Sequence, residues 1–175
     1  MKFALLVTLL VVLFVAVAHV RFNLTPSMPV GMYWATSPWQ RGDTVAVCAP
    51  PAIVDEGLAK GYIPRFPLGP CWRHTMPLVK VLAAIGGDAV GVSPRRISVN
   101  GATWPYSQRR YETISGEPIT QWMNGYSRLA ADRILVLGEN PESWDSRVWG
   151  PIPSSSVRAR WIPILTTPLL TTKES

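Results

Sequence analysis

The chain has 175 residues, 47% of them hydrophobic and 16% charged, which excludes a disordered polypeptide and leaves room for one domain with an appendage. The formal net charge is +6. The basic residues are scattered singly or as the pairs Arg95-Arg96 and Arg109-Arg110, without the stripe of a nucleic-acid groove, so no nucleic-acid partner is expected.

Apolar weight is concentrated at the N-terminus, where Lys2, Thr8 and His19 are the only residues among the first twenty outside the hydrophobic set. Phe3 to Ala18 is a nearly unbroken apolar run, and as a helix it covers about 24 Å, slightly short of a bilayer core. Adding Val20 and Phe22 lets it span. Residues 1–22 are therefore expected to form a membrane anchor in the lipid bilayer, and residues 23–175 a domain outside the cytoplasm. Ala16-Val17-Ala18 also has the A-x-A form of a secretory cleavage site. Both readings export the body of the chain.

Immediately after this segment comes Asn23-Leu-Thr-Pro-Ser-Met-Pro-Val-Gly-Met-Tyr33, in which Ser27 lies between Pro26 and Met28-Pro29. Prolines there fix φ and stiffen the backbone. By itself, a serine so placed is a turn residue. Strand-like runs follow at Met32–Thr36 and Thr44–Val47, separated by the Arg41-Gly-Asp43 turn.

Residues 49–76 are Pro-rich and read as an irregular insertion pinned by Cys48 and Cys71. In an exported chain the two cysteines permit one disulfide, worth about 3 kcal/mol by loop closure. Two buried thiols are the alternative, and the spacing is not that of metal ligands. Pairing is the expectation adopted, with a cost on its removal of about 2–4 kcal/mol and no loss of catalytic competence.

Lys80 stands in the apolar run Leu78–Ala84, where an ammonium is costly to bury without a partner. Its stem either snorkels to solvent or its burial serves chemistry. Further strands are expected at Arg96–Val99 and Ile134–Leu137. Val99-Asn-Gly-Ala102 is a two-residue hairpin candidate, and a polar loop runs from Gly138 to Gly150. Seventeen prolines and thirteen glycines leave little room for long helices, so the body reads as mostly β.

Three clusters in this order carry a resemblance. Ser27-Met28 beyond an apolar segment, Lys80 eight residues before Asp88, and Gly-Glu-Asn…Ser-x-Asp-Ser-Arg-x-Trp-Gly resemble the boxes of type I signal peptidases. Pro29-Val-Gly-Met-Tyr-Trp34, the single anchor and the Cys48…Cys71 insertion are more similar to the conjugative-transfer branch, the TraF-type peptidases that mature pilin subunits. The resemblance runs from the anchor to about Pro163. It implies an antiparallel β-sheet catalytic domain with an apolar substrate groove facing the membrane, and no cofactor or metal.

Carried over by position, the resemblance implies Ser27 as nucleophile and Lys80 as general base. Thr25 helps the Ser27 N–H form an oxyanion hole, Ser143 orients the lysine amine, and Asp145 and Arg147 form a structural ion pair. Two departures stand out. The Gly138–Asp145 loop is one residue shorter than usual, and Val81 replaces the basic residue that normally follows the lysine.

The chemistry agrees independently. A serine hydroxyl needs a base, and a lysine serves at neutral pH only when apolar burial lowers its pKa. A Ser/His/Asp rival needs an imidazole, yet His19 borders the membrane and His74 sits in the insertion. Asp88 and Asp145, read as a carboxylate pair, each have a turn context that already explains them.

The expected function is a serine endopeptidase of the inner membrane, single-pass, with its catalytic domain on the periplasmic side. Its protein substrate is an exported precursor, a conjugative pilin above all, with cyclisation through the acyl-enzyme open. The alternatives are a general signal peptidase acting on secretory preproteins and a non-enzymatic component of an envelope assembly, which the eight tryptophans would suit.

Overall fold

The computed structural model describes residues 2–105, 107–108 and 122–168; the Arg109-Arg110 pair lies outside them. The chain opens with helix α1 (Lys2–His19), which has no buried residue and is long and apolar enough to cross a membrane. The helix ends at His19, and Val20 and Phe22 lie in the first strand, β1 (Val20–Asn23).

Ten more strands follow: β2 (Val30–Thr36), β3 (Thr44–Val47), β4 (Leu78–Ala84), β5 (Ala89–Val92), β6 (Ile97–Val99), β7 (Ala102–Thr103), β8 (Gly125–Arg128), β9 (Arg133–Leu137), β10 (Ile152–Pro153) and β11 (Val157–Thr167). Among the described residues they form a seven-stranded sheet, β1-β2-β11-β3-β4-β9-β10, and a four-stranded one, β7-β6-β5-β8. Every pairing is antiparallel, as the expected mostly β class requires.

The near-continuous apolar sequence of β4 suits its place between β3 and β9, with both faces covered. Leu82 packs with Val45, Val47, Ile134, Val136 and Ile152. Val79 joins Met28, Tyr33, Ala46 and Trp161 in another cluster. Ala83 and Ala84 close against the small sheet through Val90, Ile97 and Val99.

The Asn100-Gly101 hairpin forms as expected. Val99 pairs with Ala102, and Asn100 and Gly101 take φ of 51° and 85°, the left-handed values that a tight two-residue turn demands.

Strands β1, β5, β8 and β10 lie where none was expected, and two further elements depart from the sequence expectation. Within the insertion, residues 51–59 form helix α2 (Pro51–Ala59). Pro51 supplies the pre-set φ of a first helical turn, and only Gly57 interrupts the helix-compatible residues after it. The insertion is thus ordered around a helix, and Cys48 and Cys71 close it as a disulfide.

The eleven-residue β11 also lies where no strand was expected, and it runs through Pro163. The proline is tolerated at a register shift between Pro163 and Leu165. Just beyond this shift, where Gly31 pairs with Thr166, a Cβ added at Gly31 would fall 2.2 Å from the Leu165 carbonyl oxygen, so only glycine lets β2 and β11 approach.

Candidate active site

The Ser27 segment is the loop joining β1 to β2, whose last pair is Asn23 with Gly31. Asn23, 2% exposed, builds this loop. Its Nδ2 donates to the carbonyls of Thr25 (2.9 Å), Met28 (3.0 Å) and Pro29 (3.0 Å). Its Oδ1 accepts from the Thr25 backbone N–H (3.1 Å) and hydroxyl (3.0 Å). One amide therefore satisfies carbonyls that the two prolines leave without regular partners. The Thr25 hydroxyl points to this amide. Met28, buried in the cluster with Val79, pins the far side of the turn, and Ser27 itself is half-buried.

Lys80 is 1% exposed, so its stem does not reach water. Its Nζ donates to Ser143 Oγ at 2.5 Å. Burial pushes the amine down to about 8, with Asp145 opposing the shift and Arg147 reinforcing it. Desolvation dominates because the ammonium loses water and gains one neutral hydroxyl in exchange.

The loop after β9 meets the backbone of the Ser27 turn and, through Ser143, the Lys80 amine. An added Cβ at Gly138 would lie 2.4 Å from Ser143 Oγ and 2.9 Å from the Ser27 carbonyl oxygen. Ser27 and the partner of Lys80 thus close on the same glycine. Asn140 grips the Ser27 turn from this side, donating its N–H to the Ser27 carbonyl (3.3 Å) and its Nδ2 to that of Pro26 (3.2 Å).

The loop holds its shape through Asp145 and Arg147, paired at 2.5 Å and both buried. Asp145 accepts the Gly138 N–H (2.7 Å) and caps the short helix α3 (Ser146–Trp149) by accepting the Arg147 N–H. Arg147 Nη2 reaches the carbonyls of Gly138 (3.0 Å) and Asn140 (2.7 Å). A carboxylate and two carbonyls thus meet this buried guanidinium, as burial of a charge requires. The shortened loop still places Ser143 on Lys80. Glu139, between Gly138 and Asn140, has its carboxyl pKa raised by burial.

The other candidates lie elsewhere. His19 Nδ1 meets the Ala35 carbonyl at 2.8 Å and its ring stacks on Trp34. His74 is exposed at the end of a 3-10 turn (Trp72–His74) in the insertion. Among the described residues, neither imidazole has a hydrogen bond to Ser27 or Lys80. The Asp88 carboxylate is occupied by its turn. Burial alone would raise it, but hydrogen bonds from the Ile85 N–H, Asn100 and Arg41 hold it below its usual range. Among the described residues, no three His, Cys, Asp or Glu side chains gather as metal ligands.

Sequence reasoning quoted both Asn23 and Asn140 and gave neither a role. Asn23-x-Thr25 is a turn-forming pattern that could have signalled the first. Asn140 had no comparable signal, since its partner is 114 residues away.

Residues 1–165 match the family described as signal peptidase, peptidase S26. Among curated relatives, a plasmid transfer protein TraF of Escherichia coli is 30% identical over 152 residues, spanning 85% of this chain and 84% of its own. A conjugal transfer protein TraF of Agrobacterium tumefaciens (strain 15955) is 30% identical over 151 residues, with 83% and 82% covered. A crystal structure of a signal peptidase I from Enterococcus faecalis V583 covers 71% of this chain and 97% of that one, at 19% identity and a TM-score of 0.38.

Proposed function

This chain belongs to the signal peptidase family, peptidase S26, in its TraF branch, and from that membership we propose that it is a membrane-anchored Ser-Lys endopeptidase of conjugation. It processes an exported precursor, a conjugative pilin subunit above all. The observation that carries this reading is the buried Lys80 amine, brought to about 8 and held by Ser143, on a loop that also grips the Ser27 turn.

In the proposed reaction, the neutral Lys80 amine takes the Ser27 hydroxyl proton as Oγ attacks the scissile carbonyl. The oxyanion is met by the Ser27 N–H, in a turn whose shape Thr25 and Asn23 set. Lys80 then returns the proton to the leaving amine, and an acyl-enzyme remains on Ser27. Lys80 next deprotonates the incoming nucleophile. Water gives a trimmed linear chain, and a peptide amine gives a cyclic one. The loop ion pair Asp145–Arg147 keeps Ser143 in place throughout.

Helix α1 (Lys2–His19) is proposed as the anchor, with the strands from Val20 onward on the periplasmic side of the inner membrane. Retention puts Ser27 next to its membrane-bound substrate. Mature protein recovered in the soluble fraction and beginning at His19 would reject this arrangement.

The decisive experiment is co-expression of the pilin precursor from the same transfer system with wild type or the Ser27→Ala variant. Mass spectrometry should find mature pilin only with wild type, and a product one water lighter than the trimmed linear chain identifies cyclisation. Equal maturation with both proteins would reject the peptidase and favour an assembly component.

A further inference from the structure

Trp144 lies between Ser143, which holds Lys80, and Asp145, which locks the loop, and it is buried. Its ring contacts come from the disulfide-closed insertion. Tyr62 tilts against the ring with centroids 5.1 Å apart. Lys60 Nζ sits 5.9 Å from the ring centroid. A Cβ added at Gly57 in α2 would fall 2.9 Å from Trp144 Nε1 and 2.6 Å from Ile63 Cδ1, so glycine is what lets α2 lie on the indole. Trp144 Nε1 is buried without a hydrogen-bond partner. The indole is therefore held by shape and stacking, not by a polar bond.

The insertion is itself braced. Cys48 and Cys71 close it, and Asp55 of α2 accepts from Trp72 Nε1 (3.1 Å) and pairs with Arg73 (2.5 Å). A chain of packed groups thus runs from the disulfide through α2 and Tyr62 to Trp144, and through the backbone of Trp144 to Ser143.

We propose that Trp144 is a positioning residue through which the disulfide-closed insertion holds Ser143 onto Lys80 and keeps water from the amine. Against the sequence expectation that its loss leaves catalysis intact, the bridge then has a second part beside stabilisation, because a loosened insertion releases the indole. The proposal takes its catalytic importance from the Ser-Lys reading, but the arrangement itself can be tested without any substrate.

The chain has four lysines, Lys2, Lys60, Lys80 and Lys173, so 13Cε-lysine labelling of the full chain in detergent micelles gives a readable set of signals. The Lys80 signal is identified by its loss in Lys80→Met. The charged groups acting on Lys80 are Asp145 and Arg147, and those beside Trp144 are Lys60 and its partner Glu56. None of the variants below changes them.

In Trp144→Ala, in Tyr62→Ala and in the Cys48→Ser, Cys71→Ser pair, the Lys80 titration should move up by about one pH unit or more as water reaches the amine. Trp144→Phe, which keeps an aromatic wedge, should restore the wild-type midpoint. Ile97→Val, a cavity in the small sheet, controls for general loosening and should leave Lys80 unmoved.

An unchanged Lys80 midpoint in folded Trp144→Ala or Tyr62→Ala would overturn the proposal. So would an equal shift in Ile97→Val. Should Trp144→Ala not fold, Tyr62→Ala, which keeps the indole, decides alone. Loss of precursor processing in Ser27→Ala bears on the peptidase reading only, so the two failures are distinguishable.

Discussion

Asn23 Oδ1 accepts both the backbone N–H and the hydroxyl of Thr25, at 3.1 and 3.0 Å. The hydroxyl two residues before Ser27 is thereby spent on the shape of the turn, and any help that Thr25 gives an oxyanion passes through the backbone. Asn23→Ala should strand the Met28 and Pro29 carbonyls that Nδ2 serves and cost about 2–4 kcal/mol, because buried acceptors lose their donor. Thr25→Ser should be nearly silent and Thr25→Val should be impaired. Urea midpoints and precursor processing measured together check both.

For the pair Ser27 and Lys80, Lys80→Met preserves the apolar stem and should fold but not process. Lys80→Arg keeps the charge, cannot usefully deprotonate, and should be equally inactive. Combining Ser27→Ala with Lys80→Met should be little worse than either alone, since groups acting as a unit are not additive. The wild-type rate should rise with pH and level off above about 8, where the amine is neutral. Normal processing by either folded lysine variant would reject the dyad.

Lys80 also makes stability depend on pH. Its pKa is near 8 in the folded chain and about 10.4 unfolded. Below pH 8 both states carry the proton, and the folded state bears the full cost of a buried ammonium. Between about pH 8 and 10.4 the unfolded chain binds more protons, so this contribution to stability rises with pH, by about 3 kcal/mol in total. Lys80→Met should therefore be more stable than wild type at pH 7, with the advantage shrinking toward pH 10. Denaturant titrations at the two pH values measure it, and a constant difference would refute the assignment.

The buried pair Asp145–Arg147 organises the loop. Arg147→Met leaves the Asp145 carboxylate buried without its cation and should cost about 3–5 kcal/mol. Adding Asp145→Asn removes the stranded charge and should recover part of that loss. Thermal unfolding of the single and double variants tests this, and additivity of the two losses would show that the pair does not act as one unit.

Local pattern made much of the framework legible. The apolar run of α1, the boundaries of β3 and β4, and the Asn100-Gly101 hairpin follow from composition, period and turn chemistry within a few residues. Of the residues in the family boxes, Lys80 meets Ser143 and Asp145 pairs with Arg147. Tertiary structure decided what depends on distant partners. It buried Lys80 against a hydroxyl 63 residues away, directed Thr25 to Asn23, and made the insertion a helix seated on Trp144. It also let β11 continue past Pro163 by a bulge. A sequence window shows periodicity because neighbouring residues share a strand or helix axis. It cannot show which distant group will satisfy a buried amine, amide or indole, since that depends on how the sheet brings the loops together.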